Sequence, residues 1–366
     1  MRLHLIGLPH AQTIDKITVC AFTTKLIKFC EMMQPLGYEI FLYSGDKNDA
    51  KVSKHIQIYS KKEQKQWFGN FDQNKLPTIA TWNVHDKHWY ITNQRAIESI
   101  RLLRESNKDI ICLLAGWAQQ PIADAFPDMI SCEWAAGYEG WFFDYVCFES
   151  YAWMHHCYGK RNINDGRWFD TVIPNFFRPE DFSIALIKEN YLLFVGRLIN
   201  RKGLRIAHDI ARHSDIPLII AGSGAKSYKN KLLITKDEEQ YDNVEYIGTI
   251  GTRQRNELMS KARVLIAPTT YIEPFGAVAV EAQLCGTPVI TTDWGAFSET
   301  VEQDISGFRI RTLKEGLSAV EKANKLDPVK IRNLALDKYS LEKVGPMYDQ
   351  WFKQLNSLWN EGWYEI

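Results

Sequence analysis

The sequence predicts an α/β protein of two doubly wound, Rossmann-like domains facing each other across a cleft. Three observations carry this. Short apolar runs alternate with longer amphipathic ones, the alternation breaks once near a proline pair and then restarts, and 366 residues suit two domains better than one. The first domain opens with a strand at Leu3–Ile6, a helix from about Thr18 to Met33 and a strand at Tyr38–Tyr43. Further strand candidates are Thr78–Trp82, Ile110–Leu114 and Met129–Cys132, with helical periodicity between Gln94 and Glu105. The break is Val172-Ile173-Pro174-Asn175-Phe176 followed by Pro179, which sets the domains at 1–174 and 175–344. Beyond it come strands at Tyr191–Gly196, Pro217–Ala221, Val244–Ile247, Val264–Ala267 and Pro288–Thr291, with a helix at Leu204–His213. In the tail, Trp351, Phe352, Leu355, Leu358, Trp359, Trp363 and Tyr364 are spaced for one helical face, so 345–366 is expected to pack back on the first domain.

Composition removes several function classes. Lys+Arg and Asp+Glu are both 44, so no global field favours nucleic acid or an anionic membrane. Seven cysteines, an odd number without a Cys-x-x-Cys pair, indicate neither a disulfide framework nor a zinc site, and reduced thiols point to a cytoplasmic protein. His155, His156 and Cys157 are helical neighbours whose side chains diverge, so they do not form a metal cluster. No signal peptide or transmembrane helix is expected, since Ile110–Ala115 is the purest apolar run. Two lysine groups, 51 to 65 and 226 to 231, sit among polar residues and read as solvated faces; peripheral membrane contact stays open.

The chemistry concentrates in Glu273-Pro274-Phe275-Gly276-Ala277-Val278-Ala279-Val280-Glu281. Pro274 and Gly276 suit a loop turning into a helix, with Glu273 before the helix and Glu281 more than one turn inside it. The amides of Gly276, Ala277 and Val278 would then face an anion, and two carboxylates beside anion-binding amides suit a phosphorylated, hydroxyl-rich ligand. Arg197 after Gly196 and Lys202 before Gly203 flank one strand-to-helix loop, where a guanidinium and an ammonium can together neutralise a diphosphate. Gly222, Gly224 and Gly248 stand at further strand ends, where missing side chains let backbone approach a nucleotide or make a plain turn. Near Thr292-Asp293-Trp294-Gly295-Ala296-Phe297-Ser298, Asp293 or Ser298 caps a helix or touches a sugar.

From about Ile173 to Gly307 these motifs resemble the donor domain of a GT-B fold, retaining glycosyltransferase of family 4. The resemblance implies that Arg197 and Lys202 bind the diphosphate of a nucleotide sugar, that Glu273 lies by the donor sugar, and that Glu281 takes the ribose hydroxyls. It also places backbone amides of Phe275, Gly276, Ala277 and Val278 at sugar and phosphate. One departure is Gly295-Ala296, where many relatives have two glycines. In the first domain, Leu8-Pro9-His10-Ala11-Gln12-Thr13 and Phe148-Glu149-Ser150-Tyr151-Ala152-Trp153 resemble a subgroup of viral and bacterial members, of the kind encoded by large algal viruses. On the first glycine loop, His10 and Thr13 read as acceptor- or diphosphate-side residues or as plain polar loop residues, and the family resemblance places Glu133 where many members carry a histidine near the reacting carbon, with a loop acid in a salt bridge as the alternative.

The implied reaction is transfer of a hexose, with retention, from a donor of the GDP-mannose or UDP-glucose type to a sugar or glycan acceptor. No Asp-x-Asp occurs, so no metal or other cofactor is expected and Arg197, Lys202 and a helix N-terminus would meet the leaving charge. Two other functions stay open: a nucleotide-sugar epimerase or hydrolase of the same architecture, and a catalytically silent sugar-nucleotide or glycan-binding protein.

Overall fold

The computed structural model describes residues 1–17, 20–69, 81–142 and 144–358. They form two compact units, one of Met1–Glu149, Cys157–Phe176 and the chain from Leu341 onward, the other of Ser150–His156 and Phe177–Ser340.

Among the described residues of the first unit, seven strands lie in the order β3-β2-β1-β4-β5-β6-β7. They are β1 (Arg2–Ile6), β2 (Glu39–Gly45), β3 (Lys54–Tyr59), β4 (Ile110–Leu113), β5 (Ile130–Ala136), β6 (Val146–Phe148) and β7 (Thr171–Val172). Every pairing is parallel; Leu3, for example, is in register with Ile40 on one side and Ile110 on the other. The period of two along each strand sorts the side chains into separate cores. Leu3, Leu5, Ile40, Leu42, Ile110 and Cys112 pack with helix α1 (Ala21–Met33). Ile6, Phe41, Tyr43, Ile111 and Leu113 point the other way. They meet Ala96, Ile97 and Ile100 of a helix over Lys87–Leu103 and Ile122 of a short one over Gln120–Asp124. With α2 taken as Lys61–Phe68, these two are α3 and α4. Helix α5 is Tyr151–Lys160.

The second unit repeats the plan. Its six-stranded parallel sheet runs β13-β9-β8-β14-β15-β16. The strands are β8 (Leu192–Val195), β9 (Leu218–Ala221), β13 (Glu245–Tyr246), β14 (Val264–Ala267), β15 (Val289–Thr292) and β16 (Gly307–Ile310). A small antiparallel sheet of β10 (Ala225–Lys229), β11 (Leu232–Thr235) and β12 (Gln240–Tyr241) is inserted between β9 and β13. Helices α6 (Leu204–Ser214), α7 (Thr252–Lys261), α8 (Ala277–Leu284), α9 (Phe297–Thr300), α10 (Leu313–Ala323) and α11 (Pro328–Tyr339) follow in turn. The chain then enters α12 (Leu341–Ser357), whose Val344, Tyr348, Trp351, Phe352 and Leu355 are buried in the first unit's core. Trp351 Nε1 donates to Phe169 O at 2.8 Å and Tyr38 Oη to Asp349 Oδ1 at 2.9 Å.

Several expected elements differ. Of the strand expected at Thr78–Trp82, residues 78–80 lie outside the described ones, and Thr81 and Trp82 are not in a strand. The edge position of the sheet is taken by β3, where Lys54 and Gln57 are exposed and break up the apolar pattern. The helix expected over Gln94–Glu105 runs from Lys87 to Leu103, because His88, Trp89, Thr92 and Asn93 join its buried face. Thr18 and Val19, at the expected start of α1, and Trp359, Trp363 and Tyr364 of the aromatic tail lie outside the described residues. All seven cysteines are free and buried. Among the described residues no helix is long and apolar enough to cross a membrane.

Candidate functional site

A doubly wound sheet offers a ligand crevice where its strand order reverses, at the carboxyl ends of the two central strands. In the second unit these strands are β8 and β14, hydrogen-bonded neighbours with β9 to one side and β15 to the other. The loops that leave them carry the residues singled out from sequence. After β8, Gly196 leads into Arg197, which is exposed, and a single 3-10 turn over Asn200–Lys202 delivers Lys202 before α6. After β14, the chain passes Tyr271 and Glu273 before α8.

These two loops meet at Lys202. Its Nζ donates to Glu273 Oε2 at 2.9 Å and to Tyr271 Oη at 2.6 Å, and it sits 4.9 Å from the centre of the Tyr271 ring. An ammonium has three protons, so one remains for an incoming anion. Arg201 lies over the same ring at 4.8 Å. Burial, reinforced by the Glu273 carboxylate, pushes the Tyr271 phenol upward, so it stays protonated at neutral pH. Two cations on one phenol and a carboxylate beneath one of them give a fixed positive rim to the crevice.

Helix α8 adds oriented amides. Gly276, its N-cap, has φ 78°, and a Cβ there would come within 2.4 Å of the Phe297 ring, so this sharp entry into the helix requires glycine. Ala279 N–H is taken by Gly276 O at 2.9 Å, while Ala277 and Val278, half-buried, present the first helical amides. Phe275 is buried beneath, against Phe177 and Tyr339. One turn on, Glu281 is paired with Arg255 of α7 at 3.3 Å. Gly295 and Ala296 back the Glu273 loop, with Ala296 N–H donating to Glu273 O at 3.1 Å. Ala296 has φ −62°, an ordinary helical value that needs no second glycine.

The glycines at the neighbouring strand ends form a close backbone junction. Gly222 N–H donates to Gly248 O at 2.8 Å, and a Cβ on Gly222 would lie 1.7 Å from Gly196 O. Tyr246 Oη donates to Gly222 O at 2.8 Å. Gly224 packs against Leu198, while Gly248 has open space where its side chain would be. Gly196, Gly222 and Gly248 are thus brought together by backbone contact. Asp293, expected to cap a helix or touch a sugar, instead pairs with Arg309 at 3.3 Å and Arg311 at 3.0 Å. Ser298 is no cap either, since its hydroxyl donates to Gly295 O. Within this stretch a helix start is met by Glu299, which accepts from Tyr151 and Ala152 N–H at the start of α5.

The three first-unit residues have different surroundings. Glu133 lies in mid-strand β5 with 0% exposure, accepting from Tyr138 Oη at 2.9 Å and from Phe142 N–H at 2.6 Å. A carboxylate so enclosed is not positioned to touch a substrate. His10 follows the end of β1 and is buried, its Nε2 3.4 Å from Cys20 Sγ. Burial, with a smaller contribution from His88, lowers its pKa to about 4, so the ring is neutral at pH 7. Thr13 is buried and bridges to Asn48 through backbone. Among the described residues, no group of three or more His, Cys, Asp or Glu side chains is placed to hold a metal ion.

Sequence reasoning missed Tyr271 and Arg255. Tyr271 is two residues before Glu273 and could have been read as part of that loop. Arg255 stands 26 positions before Glu281 on another helix, with no local signal linking them.

Residues 177–326 match the family model of glycosyl transferases group 1. An uncharacterised glycosyltransferase of Methanocaldococcus jannaschii is 33% identical over 124 residues, covering 32% of this chain and 31% of that protein. The chain spans under half the length of three curated relatives it matches, 31%, 44% and 32% of them. Among solved structures, a glycosyltransferase involved in avilamycin A biosynthesis superposes with a TM-score of 0.67 at 18% identity, over 97% of this chain and 98% of that one. The Anabaena protein HepE, in complex with UDP-glucose, gives a TM-score of 0.62 at 14% identity, over 98% of this chain and 100% of that one. The fold is therefore the GT-B glycosyltransferase fold of two Rossmann-like domains with parallel sheets, and the match to the group 1 family model falls within the second unit.

Proposed function

We propose that this protein is a retaining, metal-independent glycosyltransferase of family 4, in a subgroup of viral and bacterial members acting in the cytoplasm. It moves a hexose from a nucleoside diphosphate sugar to a sugar or glycan acceptor. The observation that carries this is Lys202, its ammonium held by Glu273 and Tyr271 with one proton to spare, beside exposed Arg197 in the same switch-point crevice. A diphosphate fits that charge. Arg197 and Lys202 neutralise it, the amides at the start of α8 add their partial positive charge, and Glu281 takes the ribose hydroxyls. Gly248, with open space where its side chain would be, leaves room for the base beside the packed backbone of Gly222 and Gly224. Glu273, already bound to Lys202, couples the sugar end of the donor to its phosphate end.

In the reaction the bond from the sugar's anomeric carbon to the diphosphate oxygen breaks, and a bond from the same carbon to an acceptor hydroxyl oxygen forms on the same face. The hydroxyl proton passes to the departing phosphate oxygen. Charge accumulating on that oxygen is met by fixed donors, which work without reorganising. The Anabaena neighbour's complex with UDP-glucose makes that donor the first to test, with GDP-mannose beside it.

Calorimetric titration in chelator with UDP-glucose, GDP-mannose and other sugar nucleotides tests the assignment. One donor should bind, Lys202→Ala should weaken it at least tenfold, and turnover should fall by roughly 10² to 10³. Equal affinity in wild type and variant would overturn the site, and turnover that requires added magnesium or manganese would overturn the metal-independent chemistry.

A further inference from the structure

The first unit holds a groove that the donor site does not use. It lies between the first turns of α3 and the 3-10 turn and α4 that follow β4, and its volume is about 360 Å³. That is in the range of small-molecule sites. Its aromatic walls are Tyr90 and Trp117, 61% and 52% exposed. Large aromatics left in solvent around one groove need a partner to explain them.

Trp117 is fixed from behind. Gly116, at φ 55°, makes the turn that presents it, and Trp117 N–H donates to Gly140 O at 3.0 Å. Phe142 and the Arg161 guanidinium, 6.3 and 6.0 Å from its ring, pack against it. A ring backed by a phenyl group, a cation and pinned backbone loses little entropy when its open side is covered. Tyr90, Asn93 and Gln94 fall three and four positions apart on α3 and share one helical face. Asn93 is buried and anchored through its Nδ2 on Ala118 O at 2.8 Å. Gln120 and Asp124 line the opposite side.

The polar lining is thus the amides of Asn93, Gln94 and Gln120, the imidazole of His85 and the carboxylate of Asp124, and no lysine or arginine lines the groove among the described residues. Such a lining offers phosphate and carboxylate ligands no lysine or arginine to pair with, and presents donors and acceptors to vicinal hydroxyls. Stiff aromatic faces suit the C–H face of a pyranose ring. We propose that this groove binds a neutral oligosaccharide, holding the part of the acceptor that does not react. The inference rests on the glycosyl-transfer function and narrows its acceptor to a chain of at least two sugars.

The test is an array of neutral oligosaccharides built from common hexoses, pentoses, deoxyhexoses and N-acetylhexosamines, probed with the labelled full chain. Wild type should retain at least one glycan of two or more units and Trp117→Phe should keep it. Trp117→Ala and Tyr90→Ala should each lose it by tenfold or more while sugar-nucleotide affinity, measured on the same samples, stays unchanged. Wild-type retention that survives both alanine variants, or no glycan retained at all, would overturn the proposal. Glycan retention with no sugar-nucleotide binding would leave the groove standing and remove the donor reading instead.

Discussion

At the scale of single residues, the site is built from side chains that hold one another before any ligand arrives. Lys202 is oriented by Tyr271 and Glu273, and Glu281 by Arg255, so little ordering is left to the moment of binding. Lys202, Glu273 and Glu281 were legible as a motif because each stands beside glycine or at a fixed helical offset. Arg255 was not, because its partnership exists only in three dimensions. Glu133 shows the opposite case: a strand-end acid in sequence turned out to be enclosed by Tyr138 and the Phe142 amide. His10 gives a pH prediction. Its folded pKa of about 4 lies below the ordinary 6.5, so between those values the unfolded chain binds more protons than the folded one. Stability is then full above pH 6.5 and falls as pH drops toward 4, by order of 1–2 kcal/mol at pH 5. Urea denaturation at pH 7 and pH 5 should show this loss in wild type and a smaller one in His10→Asn. Equal losses would mean that His10 is not the group titrating.

At the scale of elements, helix α8 depends on one backbone conformation. Gly276→Ala places a side chain at φ 78° and against Phe297, which should cost about 1–3 kcal/mol. It should also tilt the first amides and weaken nucleotide binding. An unchanged denaturation midpoint together with unchanged binding would contradict the account of the α8 entry. The central strands β1, β4, β8 and β14 could be read from sequence because parallel strands covered on both faces are largely apolar, with Arg2 and His4 the exceptions in β1. The edge strands β3 and β7 and the sheet β10-β11-β12 could not. Residues such as Lys226, Tyr228, Lys229 and Leu232 are half or fully exposed there, and Lys226 pairs with Glu238 at 2.6 Å. Strand β10 carries no apolar run to find, and that of β11, Leu232-Leu233-Ile234, is only three residues long.

At the scale of the whole molecule, the alternation of strands and helices and the proline-marked break were enough to read two doubly wound units. The return of α12 to the first unit came from its aromatic spacing, a long-range consequence of a local pattern. Phe352 sits in that core against Phe29, Tyr38 and Tyr348. Phe352→Ala should cost about 3–5 kcal/mol, all of it in the first unit. Hydrogen exchange should therefore accelerate in β1, β4 and α1 while β8, β14 and α8 stay protected. Uniform acceleration across both would refute this localisation.

The split composition of the first unit also sets the order in which the molecule can be made. A ribosome delivers β1 long before α12, so the core around Phe29 and Trp134 lacks Tyr348, Trp351 and Phe352 until some three hundred residues after β1. The second unit has its main segment, 177–340, in one piece and can finish ahead of the half-built one that precedes it. Nascent chains stalled before Leu341 should therefore bury the donor-side sheet while leaving the amino-terminal one open to chaperones and proteases.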